Sequence, residues 1–106
     1  MLNPRLKLNQ DVFLKDTTKR SPRDGFGKGM LETAEKNPAI VVLSADLSES
    51  VKLKEFIKNF PDRFVQAGIA EQNMCSIATG LAMEGKIPYA ISHAAFIAYR
   101  SWDQIR

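Results

Sequence analysis

One carboxylate in this sequence has the surroundings of a chemically active group. Glu71 falls within Gly68-Ile69-Ala70-Glu71-Gln72-Asn73-Met74, at the predicted start of a helix whose other face is apolar. A carboxylate in that place is often only a partner of the helix dipole, worth about 0.3–1 kcal/mol. A buried glutamate there could instead share a proton with a ligand nitrogen, which is general acid–base chemistry. The spacing alone leaves both interpretations open.

Two further polar segments follow apolar runs that we interpret as strands. Ser44-Ala45-Asp46-Leu47-Ser48 follows the first run, and Ser92-His93-Ala94-Ala95-Phe96 follows the third, while the Glu71 segment follows the second. Ligands of open α/β proteins gather at the carboxyl ends of the strands, so we expect the three segments to converge there. Taken alone, Phe96 is either ordinary core or an aromatic face for a ligand.

The remaining chemical candidates favour structural roles. The single histidine, His93, is more often a satisfied polar residue than a catalyst, and Cys75 has no basic neighbour in sequence that would activate it. Gly25-Phe26-Gly27-Lys28-Gly29 follows no strand and lacks the dinucleotide spacing, which indicates a helix packed closely against a neighbour. One histidine and one cysteine cannot form a metal site, so we predict no metal ligands in this chain.

The elements that must position these residues alternate between helix and strand. Strands are predicted at 39–43, 63–68 and 87–92, and helices at 21–36, around 53–60, from 70 to Gly85, and over 96–106. Such alternation predicts an α/β fold with three α/β/α layers and a parallel sheet. The helices are expected to bury apolar stripes, formed by Phe26, Met30 and Ala34, by Leu53, Phe56, Ile57 and Phe60, and by Met74, Ile77, Ala78, Leu81 and Ala82.

The bulk composition is that of one small domain. The chain has 106 residues, of which 44% are hydrophobic and 25% charged, with a net charge of +3. No apolar run approaches the roughly 20 residues that cross a bilayer. A single cysteine and the lack of an apolar N-terminal stretch favour a cytoplasmic location.

The basic residues concentrate at the start of the chain. Residues 1–23 hold six basic and two acidic side chains, and Phe13 is the one aromatic among them, without a nucleic-acid-binding motif. We therefore expect residues 1–20 to form an extended leader that is solvated or docks a partner, and residues 21–106 to form the domain. A sheet of only three strands leaves an apolar edge, so we expect the domain to be partial and to associate with itself or with another chain.

Several motifs in order resemble the transketolase family. They are Leu43-Ser44-Ala45-Asp46-Leu47-Ser48, Phe60-Pro61-Asp62-Arg63-Phe64, the Glu71 segment, Gly80-Leu81-Ala82-Met83-Glu84-Gly85, and Trp102-Asp103-Gln104-Ile105-Arg106. The resemblance runs from about Arg23 to Arg106. It is greatest to the C-terminal subunit of two-subunit transketolases, and it implies the first part of the thiamine-diphosphate pyrimidine-binding domain.

The resemblance also implies a cofactor, a partner and site residues. Thiamine diphosphate would bind between this chain and a diphosphate-binding subunit or domain that holds Mg²⁺ or Ca²⁺, and a sugar phosphate would be the substrate. Glu71 would hydrogen-bond the ring nitrogen N1′ and favour the imino form of the aminopyrimidine. Phe96 would stack on that ring, and Tyr99 would line the same pocket. Asp46 and Ile69 would lie near the thiazolium and the middle of the bent cofactor.

The same resemblance leaves related functions open. His93 departs from the family, which often has phenylalanine there. A 1-deoxy-xylulose-5-phosphate synthase usually has histidine where Asn73 stands, and the 2-oxo-acid dehydrogenase beta subunit diverges around Gln72-Asn73. Asn73 and the final Ile105-Arg106 therefore favour two-carbon ketol transfer between sugar phosphates, by a chain that we expect to be inactive alone. A non-catalytic α/β interaction module is the alternative from another class.

Overall fold

The computed structural model describes residue 11 and residues 13–106. Their helices and strands alternate, as the sequence predicts. The helices are α1 (Pro22–Lys36), α2 (Lys54–Asn59), α3 (Glu71–Met83), α4 (Ala94–Arg100) and α5 (Trp102–Ile105), with a short 3-10 helix at Pro61–Arg63. The strands are β1 (Ile40–Ser44), β2 (Phe64–Gln66) and β3 (Ile87–Ile91).

The three strands form one parallel sheet in the order β2-β1-β3, which confirms the predicted α/β class. Leu43 of the central strand pairs with Val65 on one side and with Ala90 on the other. All five residues of β1 are buried, as its almost continuous apolar run predicts for a strand covered on both faces.

Helices cover both faces of β1 and so give three layers. Ile40 and Val42 face a core formed with α1, the loop before α2, and α2 itself, whose buried members include Met30 and Phe56. Leu43 faces the opposite way, against Met74 of α3 and partly buried residues of α3 and α4. This alternation follows from the two-residue period of a strand.

The ends of the long helices follow from local chemistry. The Ser21 hydroxyl accepts a hydrogen bond from the Arg23 amide (3.3 Å) and caps α1, with Pro22 at the first helical position. At the end of α3, the Gly85 amide donates to the Ala82 carbonyl and the Lys86 amide to the Leu81 carbonyl, both at 3.0 Å. Gly85 has φ of +79°, so these bonds form the left-handed cap predicted from the sequence.

Several boundaries and exposures differ from the predictions. The predicted last helix begins at Ala94 rather than Phe96 and is broken at Ser101. The second strand spans only Phe64–Gln66, because the chain turns into the loop before α3. Two residues of the predicted apolar stripes are exposed, because Ala82 faces solvent and Phe26 is 36% exposed.

The predicted leader is described only in part. Residues 1–10 and residue 12 lie outside the described residues, and no helix or strand precedes Pro22 among those that are described. A short turn is present there, in which the Leu14 amide donates to the Asp11 carbonyl at 2.9 Å. Division of the chain at residue 20 stays a prediction. None of the described helices combines the length and the apolar character needed to cross a bilayer.

Candidate functional site

The Glu71 side chain is buried at the start of α3, at the carboxyl edge of the sheet. It is only 3% exposed, although the segment that precedes it is a loop. Its two carboxylate oxygens accept hydrogen bonds from a single nitrogen, Nη1 of Arg100, at 3.0 and 3.1 Å. Arg100 is the last residue of α4, so the pair joins α4 to the first residue of α3. No other partner of this carboxylate is found among residues 11 and 13–106.

The same guanidinium lies over an aromatic ring. The Cζ atom of Arg100 is 4.3 Å from the centroid of Phe96, one turn earlier on α4. Residues four apart on a helix are neighbours, and a guanidinium over a ring face gains a cation–π attraction. Arg100 therefore contacts Glu71 and Phe96 at once. These are the two residues that the sequence analysis assigns to a pyrimidine ring.

A shallow depression of about 690 Å³ opens beside Glu71. Ile69, Asn73 and Tyr99 line it together with Glu71 and Arg100. Ile69 is 75% exposed and Tyr99 is 83% exposed, which is unusual for an isoleucine and an aromatic next to a buried carboxylate. The structure thus brings Ile69, Glu71 and Tyr99 to one place, and the exposed apolar surface around the depression is available to a ligand or to another chain.

Asp46 does not line that depression. It borders a separate one, together with the residues that follow it up to Ser50. Its backbone is left-handed, with φ of +60°, a conformation that aspartate tolerates better than most residues. The Asp46 amide donates to Oε1 of Gln66 at 2.8 Å, so the end of β2 holds the loop after β1. The proximity of Asp46 to a thiazolium stays a prediction.

His93 has a positioning role in the described structure. Its Nε2 atom lies 3.3 Å from the Ser50 hydroxyl, and its ring meets Phe96 edge-on with centroids 5.7 Å apart. Ser50 in turn accepts from the Arg23 guanidinium through its carbonyl, at 3.2 Å. His93 therefore connects the loop before α2 to the first turn of α4, and it supports one side of Phe96.

Arg100 is the residue of this site that the sequence analysis did not select. Its signal was present, because an arginine four residues after Phe96 on a predicted helix must fall beside that ring. What the sequence could not indicate is that α4 packs against α3 with Arg100 opposite Glu71. Cys75 is buried, which agrees with an unreactive role, and the described residues contain no group of three or more metal-ligating side chains.

The arrangement has the properties of a recognition site for a flat, positively polarised ring. A buried carboxylate accepts hydrogen bonds and holds a proton at a ligand nitrogen, because it lacks the solvation that would otherwise satisfy it. An aromatic ring at its side fixes the orientation of a planar group. The guanidinium of Arg100 is itself a planar cation with N–H donors, and it lies between the Glu71 carboxylate and the Phe96 ring.

Comparisons with known proteins identify the family of this domain. Residues 18–106 match the transketolase pyrimidine-binding domain. A protein of Methanocaldococcus jannaschii that is assigned as a transketolase C-terminal section is 48% identical over 84 residues, which are 79% of this chain and 27% of the relative. The 1-deoxy-D-xylulose-5-phosphate synthase of Aquifex aeolicus is 38% identical over 99 residues, covering 93% of this chain and 16% of the enzyme.

A solved structure gives the same result. It is a split-gene transketolase in an inactive beta4 tetramer, and it superposes on this chain with a TM-score of 0.71 at 50% sequence identity. The match covers 79% of this chain and 28% of that chain. The chain thus spans little more than a quarter of the transketolase relatives, at 27% and 28%, and 16% of the synthase. Its matched domain and its fold nevertheless agree, and the chain belongs to the transketolase pyrimidine-binding domain family.

Proposed function

We propose that this chain supplies the aminopyrimidine half of a thiamine-diphosphate site in a transketolase that moves a two-carbon ketol unit between sugar phosphates. The observation that carries the proposal is the buried Glu71 carboxylate, which accepts from a planar cation lying on Phe96. In this proposal Glu71 holds a proton at N1′ of the ring, and Phe96 orients the ring. Ile69 and Tyr99 enclose the ring from the solvent side.

The residues present fit the proposed cofactor. A protonated aminopyrimidine is flat, positively charged and carries an N–H donor, and the Arg100 guanidinium has the same three properties. The position of Arg100 beside Glu71 and over Phe96 supports the proposal that these two residues accept such a group. When bound, thiamine diphosphate supplies the electron sink that ketol transfer needs. Buried carboxylates that act on a ligand proton contribute about 10²–10⁴-fold to a rate.

The other half of the site is proposed to come from a partner. The described residues offer no cluster of metal ligands, so a diphosphate-binding subunit or domain would hold Mg²⁺ or Ca²⁺ and the diphosphate. Half-sites of this kind need association, and the tetramer of the solved relative is in keeping with an oligomer. Catalysis by this chain alone is therefore not expected, and a cytoplasmic location stays a prediction of the sequence.

The experiment combines this chain with a diphosphate-binding transketolase subunit, thiamine diphosphate, Mg²⁺ and a ketose phosphate with an aldose phosphate acceptor. We expect ketol transfer in the mixture, none with either component alone, and a loss of at least about 100-fold in kcat with Glu71→Ala. Glu32→Ala removes an exposed carboxylate of α1 that pairs with Lys28 at 3.7 Å; it is the matched control and should keep full activity. Cofactor binding without turnover would favour the non-catalytic interaction module.

A second candidate is the synthesis of 1-deoxy-D-xylulose 5-phosphate, because a synthase with this product matches 93% of the chain. Asn73 lines the depression beside Glu71, so the residue that the sequence analysis used to separate the two enzymes lies at the site. Product analysis distinguishes them directly. Transfer between sugar phosphates supports the first candidate, and formation of 1-deoxy-D-xylulose 5-phosphate supports the second.

A further inference from the structure

We propose that Arg100 occupies the pyrimidine half-site when no cofactor is bound, and that its guanidinium must leave Glu71 and Phe96 before the ring can enter. This inference rests on the proposed function. It concerns a residue to which no role in the site is otherwise assigned. Its consequence is that cofactor binding is an exchange of one planar cation for another, rather than the filling of an open pocket.

Arg100 contacts the same two residues, Glu71 and Phe96, that we propose to contact the pyrimidine ring. Arg100 Nη1 lies 3.0 Å from one Glu71 oxygen and 3.1 Å from the other. The Arg100 Cζ atom lies 4.3 Å from the Phe96 centroid. A ring that donates an N–H hydrogen bond to Glu71 and stacks on Phe96 needs the same volume. The guanidinium and the ring therefore exclude each other.

Without cofactor, the buried Glu71 carboxylate needs another partner. Glu71 is 3% exposed, and an ionised carboxylate that is buried without a partner is costly. Arg100 satisfies both oxygens and thus keeps the empty half-site from exposing an unpaired charge to the apolar core. The pair serves the state that precedes binding, because in the loaded site the ring would replace it.

The contact between Arg100 and Glu71 has a geometry that allows Arg100 to leave. A single nitrogen bridges both oxygens, so the pair is not the two-nitrogen fork that makes arginine–carboxylate contacts strongest. The Arg100 side chain is also 48% exposed. It can therefore turn outward into solvent from the end of α4 without unfolding the helix. An ion pair with a buried carboxylate and a half-exposed arginine is strong enough to hold Arg100 in place and weak enough for a ligand to replace the arginine.

The expected effect follows from competition between the two occupants. When only a fraction of the molecules has the half-site free, the apparent Kd rises by the inverse of that fraction. Removing the guanidinium should therefore tighten cofactor binding. For a charge-assisted, half-exposed contact we expect the apparent Kd of thiamine diphosphate to fall about three- to tenfold.

The test uses the chain assembled with a diphosphate-binding transketolase subunit, titrated with thiamine diphosphate at saturating Mg²⁺ by calorimetry. Arg100→Met keeps the length of the side chain but removes charge and donors. We expect a lower Tm without cofactor, a lower apparent Kd, and a larger rise in Tm on adding cofactor than in the wild type. If Arg100→Met does not assemble, Arg100→Lys, which keeps the charge but cannot lie flat on Phe96, should still bind more tightly than the wild type.

Arg63→Met is the matched control. Arg63 lies over Phe60 at 3.8 Å and donates to two backbone carbonyls at the end of α1, and it does not line the depression beside Glu71. We expect it to lower Tm with and without cofactor and to leave Kd unchanged. A Kd for Arg100→Met and Arg100→Lys that equals or exceeds the wild-type value would overturn the proposal. Wild-type binding that depends on Glu71 but not on Arg100 would overturn this inference alone, whereas no binding by the wild type would overturn the proposed function as well.

Discussion

The packing of α1 against the loop before α2 depends on the absence of one side chain. A Cβ atom built on Gly27 would lie 2.3 Å from the carbonyl oxygen of Lys52 and 2.9 Å from the Cβ atom of Lys52, whereas ordinary contacts begin at 3.4 Å. Gly27→Ala therefore requires a shift of about 1 Å. The atom in the way belongs to the backbone, so it cannot move as a flexible side chain would. The amides of Val51, Lys52 and Leu53 donate hydrogen bonds of 2.9–3.1 Å to earlier carbonyls of the loop and hold that backbone in place.

The magnitude follows from two opposing effects. Overpacking costs about 1–3 kcal/mol, while alanine in place of glycine within a helix gains about 1 kcal/mol. We expect Gly27→Ala to lower the free energy of unfolding by up to about 2 kcal/mol. Gly25 and Gly29 are in the same helix and have no atom within 4 Å of the added Cβ atom. Gly25→Ala and Gly29→Ala should therefore raise the free energy of unfolding by about 0.5–1 kcal/mol.

Urea denaturation of the four proteins, followed by circular dichroism, measures these differences from the shift of the midpoint at constant m-value. The three substitutions have the same chemistry, so helix propensity cancels between them. A Gly27→Ala protein as stable as Gly25→Ala would refute the close packing of α1 against Lys52. It would also remove the structural reason for the glycine at position 27.

Two further predictions concern the core and the end of α3. Phe56→Ala should cost about 3–5 kcal/mol, since Phe56 is completely buried at the centre of one core; a cooperative urea transition within 1 kcal/mol of the wild type would contradict its placement. Gly85→Ala should cost about 1–2 kcal/mol because φ is +79°, whereas Gly80→Ala, with open space at the added atom, should stabilise α3. Equal unfolding midpoints for Gly85→Ala and Gly80→Ala would argue against the left-handed cap.

The class of fold was predictable because local patterns and tertiary structure agree. The apolar run that contains Val42 is too short for a long helix and too apolar for an exposed strand, so a strand buried on both faces was its natural interpretation. The cap at Gly85 and the start at Ser21 follow from residue types alone. The break at Ser101 was not predictable, because no proline or glycine marks it. At this break the Ser101 carbonyl accepts hydrogen bonds from the amides of Gln104 and Ile105, the last two residues of α5, at 3.0 and 2.9 Å.

The site was predictable only as a set of segments. Topology predicted that the segments after the parallel strands converge on one edge, and the resemblance to transketolases placed Ile69 and Tyr99 with Glu71. These three residues line one depression. Asp46 belongs to a loop whose direction depends on its left-handed backbone and on the Gln66 side chain, which no sequence period encodes. The contact of Arg100 with Glu71 depends on how α4 packs against α3, and tertiary packing is the part that local patterns do not specify.

The central claim is that the carboxylate of Glu71 acts on a proton of the thiamine ring. Exchange of the C2 proton of thiamine diphosphate for deuterium, followed by NMR in the assembly with a diphosphate-binding subunit, tests it without requiring a substrate. We predict exchange at least about 100-fold slower with Glu71→Gln than in the wild type, at cofactor concentrations that saturate both proteins. Equal exchange rates in the two saturated assemblies would contradict the role of Glu71 and, with it, the proposed half-site.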